Sequence, residues 1–366
     1  MTCETAAVLL AARETGLEPC ALAPAGPLPE EEAVRIRAWL AAGRHGEMAW
    51  LDRPRELADP QAWKPWARSV LLVRAPYPRA EGGFRGGGRV ARYALGRDYH
   101  NVLGKRLQRL GRRLLREGAA GRFRAVVDAA PIAERSLALQ AGAGFRGKNT
   151  LLLDPLWGPW LLLGELFLDR ELPAWRPEPP AASCGRCTRC LEACPTDAFP
   201  EPWVLDARRC LSYLTIELRG PIPREFRPAL GDRVFGCDVC LEVCPFGARA
   251  PDRSADWGLH PGLLAWSLED LLRSGEEDFH RLFRGSPLRR AGWTGLLRNA
   301  AVVLGNLGRG GEVLREVLDG HPSALVRGHA AWALGRLGER PALERARQRE
   351  EAPAVREEIE AALAES

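Results

Sequence analysis

Cys184-Gly-Arg-Cys187-Thr-Arg-Cys190-Leu-Glu-Ala-Cys194-Pro195, followed by Cys210 and then by Cys237-Asp-Val-Cys240-Leu-Glu-Val-Cys244-Pro245, is the stretch that decides the fold. A tetrahedral zinc site asks for two pairs of thiolates. Three closely spaced cysteines with a fourth before proline instead wrap three corners of an iron–sulfur cubane and send the fourth thiolate to a neighbouring cluster. The spacing therefore predicts a ferredoxin-like segment with two [4Fe-4S] clusters. By that crossover rule Cys184, Cys187, Cys190 and Cys244 hold one cluster, and Cys194, Cys210, Cys237 and Cys240 hold the other. The second half is stretched, because Cys210 sits far upstream of its companions. Cys3 and Cys20 lie outside the pattern and read as ordinary buried thiols.

Around this segment, 366 residues are too many for one core and imply more than one domain. A hydrophobic fraction of 46% with 27% charged residues fits a globular chain, and no apolar run approaches the length of a membrane span. Met1 to Gly16 lacks the basic-then-apolar order of an export signal and carries no twin-arginine pair. A cytoplasmic, reducing location is the expectation, and there ten cysteines point to metal more than to disulfides. The net charge of +5 is unevenly spread: Lys105, Arg106, Arg109, Arg112, Arg113, Arg116, Arg122 and Arg124 face the single acid Glu117 within one short stretch. That run reads either as a solvated helix face or as a surface for a polyanion.

Composition shifts divide the chain into residues 1–172, 173–250 and 251–366. The first part alternates helix-like stretches with apolar runs such as residues 69–73 and 123–127, which read as buried strands of a mixed α/β domain. Leu172 to Pro180 is proline-rich and reads as an extended linker into the cysteines. In the last part Ala300-Ala-Val-Val-Leu-Gly-Asn-Leu-Gly308 returns as Ala330-Ala-Trp-Ala-Leu-Gly-Arg-Leu-Gly338, with a partial third copy from Val355 to Leu363. Such self-similarity predicts stacked helix pairs, similar to short HEAT repeats.

Cubanes move single electrons and do no bond chemistry, so a chain of this length is expected to carry a second centre. Candidate residues precede the cysteines: Asp98-Tyr99-His100, Val127-Asp128, and the glycine-rich Gly142 to Asn149. Asp128 ends an apolar run, where half-burial of a carboxylate raises its pKa enough to donate a proton; a turn or helix-capping aspartate is the plainer alternative. The glycines either approach a ligand closely or cradle a phosphate, although the Walker spacing is missing.

At these residues the chain resembles the epoxyqueuosine reductase family, the corrinoid-dependent enzymes of the last step of queuosine synthesis in tRNA. The likeness runs from Gly46-Glu47-Met48 through Asp98-Tyr99-His100, Val127-Asp128, Gly147-Lys148-Asn149-Thr150 and Leu163-Gly164-Glu165, then from Leu205 through Cys210-Leu211-Ser212-Tyr213 to Gly236-Cys237-Asp238. It implies an α+β multidomain protein. Its N-terminal α/β domain is nitroreductase-like, related to reductive dehalogenases, and binds base-off cobalamin; a double-cluster segment and helical HEAT-like repeats follow. It also implies Asp128 as proton donor, Leu152 and Leu163 against the corrin, and Asp98, His100, Lys148, Asn149, Ser212 and Asp238 as further cofactor contacts. Leu57 and Leu218 depart from the family pattern, where an arginine and a histidine are common. The implied reaction removes the epoxide oxygen of epoxyqueuosine with two electrons and two protons. The implied partners are tRNA, held by the basic run and by Arg289, Arg290, Arg298 and Arg327, and an electron donor of flavodoxin or ferredoxin type. A monomer is expected, with no membrane association. The rival readings are a corrinoid reductive dehalogenase and a plain electron carrier.

Overall fold

Period-two burial along Ser69–Pro76 builds the centre of the first unit. In this computed structural model, which describes residues 2–77, 81–176, 182–253 and 257–365, Val70 and Leu72 face one core while Leu71 and Val73 face the other side, all fully buried. Strands β1 (Glu18–Pro24), β2 (Ser69–Pro76), β4 (Phe123–Val126) and β7 (Leu161–Leu168) form one sheet in the order β1-β2-β7-β4, with every neighbouring pair antiparallel. The expectation of an α/β domain is corrected on this point: strands and helices alternate along the chain, but the sheet is of the α+β kind. β2 runs the full length of β7, from Ser69 opposite Leu168 to Pro76 opposite Leu161. β4 is shorter and stops with Val126 opposite Glu165.

Two helices sandwich this sheet. Helix α5 (Tyr99–Arg116) follows α1 (Cys3–Glu14), α2 (Glu30–Ala41), α3 (Pro54–Ala58) and α4 (Pro60–Trp63), and starts where the Asp98 carboxylate caps the His100 N–H at 3.0 Å. Its buried Leu103, Leu107, Leu110 and Leu114 recur at helical spacing. Leu103 and Leu107 lie so close to Gly164 of β7 that a Cβ there would stand 2.9 Å from each, so only glycine lets the helix pack. On the opposite face α6 (Glu134–Gln140) contributes Leu137 and Ala138 to the core built on Val70, Leu72 and Phe167. The hairpin of β5 (Phe145–Arg146) and β6 (Leu152–Leu153) closes this side.

The first unit comprises Met1–Arg79, Asp98–Ala207 and Val239–Trp257; the second comprises Ala80–Arg97, Arg208–Asp238 and Gly258–Ser366. The first therefore also contains the short helices α7 (Arg189–Glu192), α9 (Val239–Glu242) and α10 (Pro245–Arg249) of the cysteine segment. Part of the expected linker, residues 177–180, lies outside the described residues; before it, Trp175 bridges Leu22 of β1 by backbone hydrogen bonds of 2.7 and 2.8 Å.

In the second unit β3 (Arg89–Val90) pairs in parallel with β8 (Arg233–Phe235), and α8 (Leu211–Ile216) lies against β8. After α11 (Pro261–Ala265), α12 (Leu268–Arg273) and α13 (Glu276–Leu282), the repeat forms α14 (Trp293–Asn306), α15 (Gly311–Gly320), α16 (Ala324–Arg336), α17 (Arg340–Arg349) and α18 (Pro353–Glu365). α14 packs on α16 and α16 on α18. The repeated glycine explains the register. A Cβ on Gly305 would meet Ala333 at 2.9 Å, and one on Gly335 would meet Ala362 at 2.8 Å, so each copy uses the same position for close approach of the next helix. The last helix is pinned by Arg227, 1% exposed, whose guanidinium donates two hydrogen bonds to the Glu358 carboxylate at 2.8 and 2.7 Å, with Arg224 adding two more at 3.1 and 2.7 Å. No helix among the described residues is long and apolar enough to cross a membrane.

Candidate functional site

In the first unit Cys184, Cys187, Cys190 and Cys244 line one small cavity of about 40 Å³, together with Lys148, Asn149, Leu153, Arg189, Pro245 and Phe246. Cys190 lies within α7 and Cys244 caps the start of α10, while α7 packs on α9. Burial, then the neighbouring Cys184 and Cys244, push the Cys190 thiol up to about 11; burial likewise raises Cys184, although the Lys148 backbone N–H donates to its sulfur. Thiols of this kind give up their protons to a metal rather than to water. Among the described residues no three His, Cys, Asp or Glu side chains converge as a single ion would require. Four thiols round one cavity are the number of thiolates that a [4Fe-4S] cluster takes.

Cys194 and Cys240 belong to the same unit, and the Cys194 sulfur accepts the Ala198 N–H at 3.3 Å. Cys210 and Cys237 belong to the second unit. There Cys210 caps α8, and the N–H of Gly236 donates to Thr215 Oγ1 at 2.9 Å, tying the residue before Cys237 to the helix that follows Cys210. Gly236 has φ +72°, and a Cβ there would meet Ala91 at 2.5 Å.

The second constellation is built on the end of β4. Asp128 takes φ +47°, a left-handed turn that turns the chain away from the sheet. The backbone N–H of Asp128 donates to Glu134 Oε1 at 2.7 Å, and Asp128 Oδ2 accepts the Tyr99 hydroxyl at 2.6 Å. His100 Nε2 lies 4.0 Å from the same oxygen, while His100 Nδ1 hydrogen-bonds Asp98 Oδ1 at 2.7 Å. Partial burial opposes charge on His100, but the Asp98 hydrogen bond, together with the charges of Asp98 and Asp128, outweighs it and holds the imidazole above its ordinary range. The expected half-burial of Asp128 is corrected: its side chain is 61% exposed, because the left-handed turn lifts it off the core.

Behind Asp128 lie two carboxyls to which the sequence reading assigned no role. Glu165, in the middle of β7, is 0% exposed. Burial, then Glu134, raise its carboxyl well above the carboxylate range, and burial with the Asp128 charge pushes Glu134 up to about 8. A carboxylate inside an otherwise apolar strand was the available signal, and Tyr99 stood in the quoted motif without a role.

The other candidates are placed as follows. Lys148 and Asn149 border the thiol cavity; the Asn149 amide reaches the Cys240 carbonyl at 3.4 Å. The glycine-rich stretch packs closely on its neighbours: a Cβ on Gly144 would stand 2.4 Å from the Leu153 carbonyl oxygen. Leu152 is buried in the core, and Leu163 is half-buried on β7. Ser212 is half-buried on α8, and Asp238 Oδ2 accepts the Arg92 N–H at 2.7 Å. Because β4 ends opposite Glu165, Leu161, Leu162, Leu163 and Gly164 have a strand neighbour on the β2 side alone. Leu161 and Leu163, half-buried on one face of β7 beside a strand edge that β4 does not cover, offer the apolar surface and backbone hydrogen-bonding groups that a macrocycle fringed with amides, as a corrin is, would take.

Two of the arginines expected to hold phosphate are corrected. Arg298 is fully buried and donates to the carbonyls of Leu214, Leu218 and Gly220 at 2.8, 2.9 and 2.6 Å. Arg327 forms a two-pronged pair with Glu350 at 2.7 and 2.8 Å. Arg290 is exposed but bonded to Glu217, and Arg289 is exposed. On α5, Lys105, Arg106, Arg109, Arg112 and Arg116 are exposed, whereas Arg113 is paired with Glu14 and Glu117.

Residues 183–247 match the family model of a 4Fe-4S double cluster binding domain, and residues 58–129 match that of epoxyqueuosine reductase QueG, DUF1730. The chain is 44% identical over 333 residues to an epoxyqueuosine reductase of Pseudomonas aeruginosa, covering 85% of this chain and 89% of that one. It is 41% identical to one of Escherichia coli, covering 85% and 84%. Among solved structures, an epoxyqueuosine reductase superposes with a TM-score of 0.89 at 26% identity, covering 99% and 98% of the two chains. Another, solved with a tRNA-Tyr epoxyqueuosine-modified stem loop, superposes with a TM-score of 0.84 at 26% identity over the same shares.

Proposed function

Since the chain belongs to the epoxyqueuosine reductase family, we propose that it converts epoxyqueuosine to queuosine in the anticodon loop of tRNA, with Asp128 as the acid that protonates the departing epoxide oxygen. The observation that carries the role of Asp128 is its carboxyl, exposed on a left-handed turn and held by the Tyr99 hydroxyl. The net change is epoxide plus two electrons and two protons to alkene plus water. Cys184, Cys187, Cys190 and Cys244 would hold one [4Fe-4S] cluster, and Cys194, Cys210, Cys237 and Cys240 the other, delivering electrons one at a time. Bound cobalamin would supply a strongly reducing cobalt centre. Leu163 and its strand edge, with Asp98, His100, Lys148, Asn149, Leu152, Ser212 and Asp238, are the residues proposed to hold it. Among these His100 and Asp98 orient each other, and Tyr99 fixes the rotamer of Asp128.

In this reading residues 1–172 bind the corrin, 173–250 carry the clusters, and 251–366 form HEAT-like repeats. The exposed cations of α5 in the first unit and, separately, Arg289 in the second are proposed to hold phosphates of the substrate RNA, and the enzyme is proposed to work in the cytoplasm with a flavodoxin- or ferredoxin-type donor. The test is nucleoside analysis of tRNA from cells lacking this protein. Accumulated epoxyqueuosine supports the reading, and normal queuosine overturns it.

A further inference from the structure

The deoxygenation consumes two protons, and the Asp128 carboxyl carries one. A site covered by a tRNA loop has little exchange with water, so the second proton needs its own source. The buried face of the sheet offers one. Glu165 points into the same core face as Leu163 and Phe167, where the first residue of α6, Glu134, meets it. Both Glu165 oxygens are buried, and among the described residues no N–H group or hydroxyl donates to either, which leaves the Glu134 carboxyl as the group they face. Two carboxylates cannot face each other there without a proton between them, because burying two like charges side by side costs far more than binding one proton. Glu134 in turn accepts the Asp128 N–H at 2.7 Å, which puts the pair at the foot of the Asp128 turn.

We infer that Glu134 and Glu165 share a stored proton, and that it passes through Glu134 to Asp128 once Asp128 has protonated the substrate oxygen. Asp128 then delivers it as the oxygen leaves as water, so that each turnover moves two protons through one acid. The electrons come from the clusters, and the pair recovers its proton from solvent after product leaves. The inference rests on the proposed function for the proton's destination, but not for the proton's existence. The charged and titratable groups facing the pair are Asp128, Arg135, His100 and Cys20. Arg135 is exposed and donates one guanidinium N–H to the Thr150 carbonyl at 3.2 Å; its charge favours the ionised form of Glu134 but is outweighed there by burial and Asp128.

The test is infrared spectroscopy of the whole protein across pH, joined to single-turnover kinetics of the cofactor-loaded enzyme on an epoxyqueuosine-modified stem loop. At pH 7 the wild type and Asp128→Asn are expected to show the carbonyl stretch of a protonated carboxylic acid. It should fade only as pH is raised into the alkaline range and be absent in Glu165→Gln. The kinetic arm should show kcat falling about 10- to 100-fold in Glu165→Gln with KM unchanged and the alkaline limb of the pH profile lost. A wild type without the band, or a Glu165→Gln protein that keeps it, overturns the inference whatever the enzyme's activity. Wild-type kcat and pH dependence in Glu165→Gln also overturn it and leave the proposed function standing. An alkaline limb that vanishes in His100→Gln but persists in Glu165→Gln makes His100 the second donor and sinks the idea. If the wild type shows the band but turns over no epoxide, the functional reading falls and the proton's destination falls with it.

Discussion

Replacing Arg298 with methionine should unfasten the segment between Cys210 and Cys237 while leaving the first unit's thiol cavity intact. The guanidinium is fully buried and donates to the carbonyls of Leu214, Leu218 and Gly220, with its Nε and one Nη on Asn299 Oδ1 at 3.1 and 2.9 Å. Leu214 lies in the last turn of α8, and Leu218 and Gly220 follow just beyond its end, so none of the three carbonyls has an amide of that helix to accept from. Methionine fills similar volume but donates nothing, and each orphaned carbonyl costs about 1–3 kcal/mol. Part of that is recovered because a buried cation no longer has to be desolvated, so the net loss is about 4 kcal/mol. At roughly 2–4 °C per kcal/mol for a domain of about 150–250 residues, the second unit should melt about 10 °C lower. The assay is calorimetry combined with iron and sulfide analysis of anaerobically reconstituted protein. Arg298→Met should lose the cluster assigned to Cys194, Cys210, Cys237 and Cys240 and keep the one on Cys184, Cys187, Cys190 and Cys244, so iron falls by half. An unchanged melting temperature with full iron would refute the reasoning.

Asp128→Asn should retain both clusters and bind cobalamin yet lose about 10²- to 10⁴-fold in kcat, measured by single turnover; full activity removes Asp128 from the chemistry. Glu358, held down to about 2 by Arg227 and Arg224 against the opposing effect of its burial, contributes stability that is present above its ordinary value of 4.5 and is lost as pH falls through about 2. Glu358→Gln should therefore cost about 3 kcal/mol in urea unfolding at pH 7 and nothing near pH 2, whereas a gap that does not change with pH contradicts the ion-pair account. Reversing the exposed charges of Arg109, Arg112 and Arg116 to glutamate should weaken stem-loop binding and flatten its dependence on salt; binding that stays as tight and as salt-sensitive clears α5 of the role.

Local pattern made some of this legible. The apolar run at residues 69–73 became β2, and the run at 123–127 became β4 with Asp128 just beyond its end. The cysteine spacing singled out the four thiols that share one cavity. What pattern could not convey is set by tertiary contact. β1 went unread because Pro19 and Pro24 discourage a strand, yet both are tolerated on the sheet's outer edge. Arg298 reads as a surface cation, and is buried because the carbonyl end of α8 opens onto α14. The exposure of Asp128 follows from a left-handed turn held by Glu134, a residue whose neighbourhood with Glu165 exists only after the sheet has formed.

The order of segments along the chain has a consequence for biogenesis. The first unit is interrupted by residues 208–238 and is completed only by Val239–Trp257, which bring Cys240 and Cys244. A nascent polypeptide that has emerged only as far as Cys190 exposes three sulfurs of a cavity whose fourth wall has not been translated. Scaffold proteins that hand over iron and sulfide should therefore find no competent acceptor until the intervening stretch has been synthesised and has folded out of the way. Premature termination anywhere before Cys244 would leave a sticky, metal-free thiol cluster for proteases rather than a half-active enzyme.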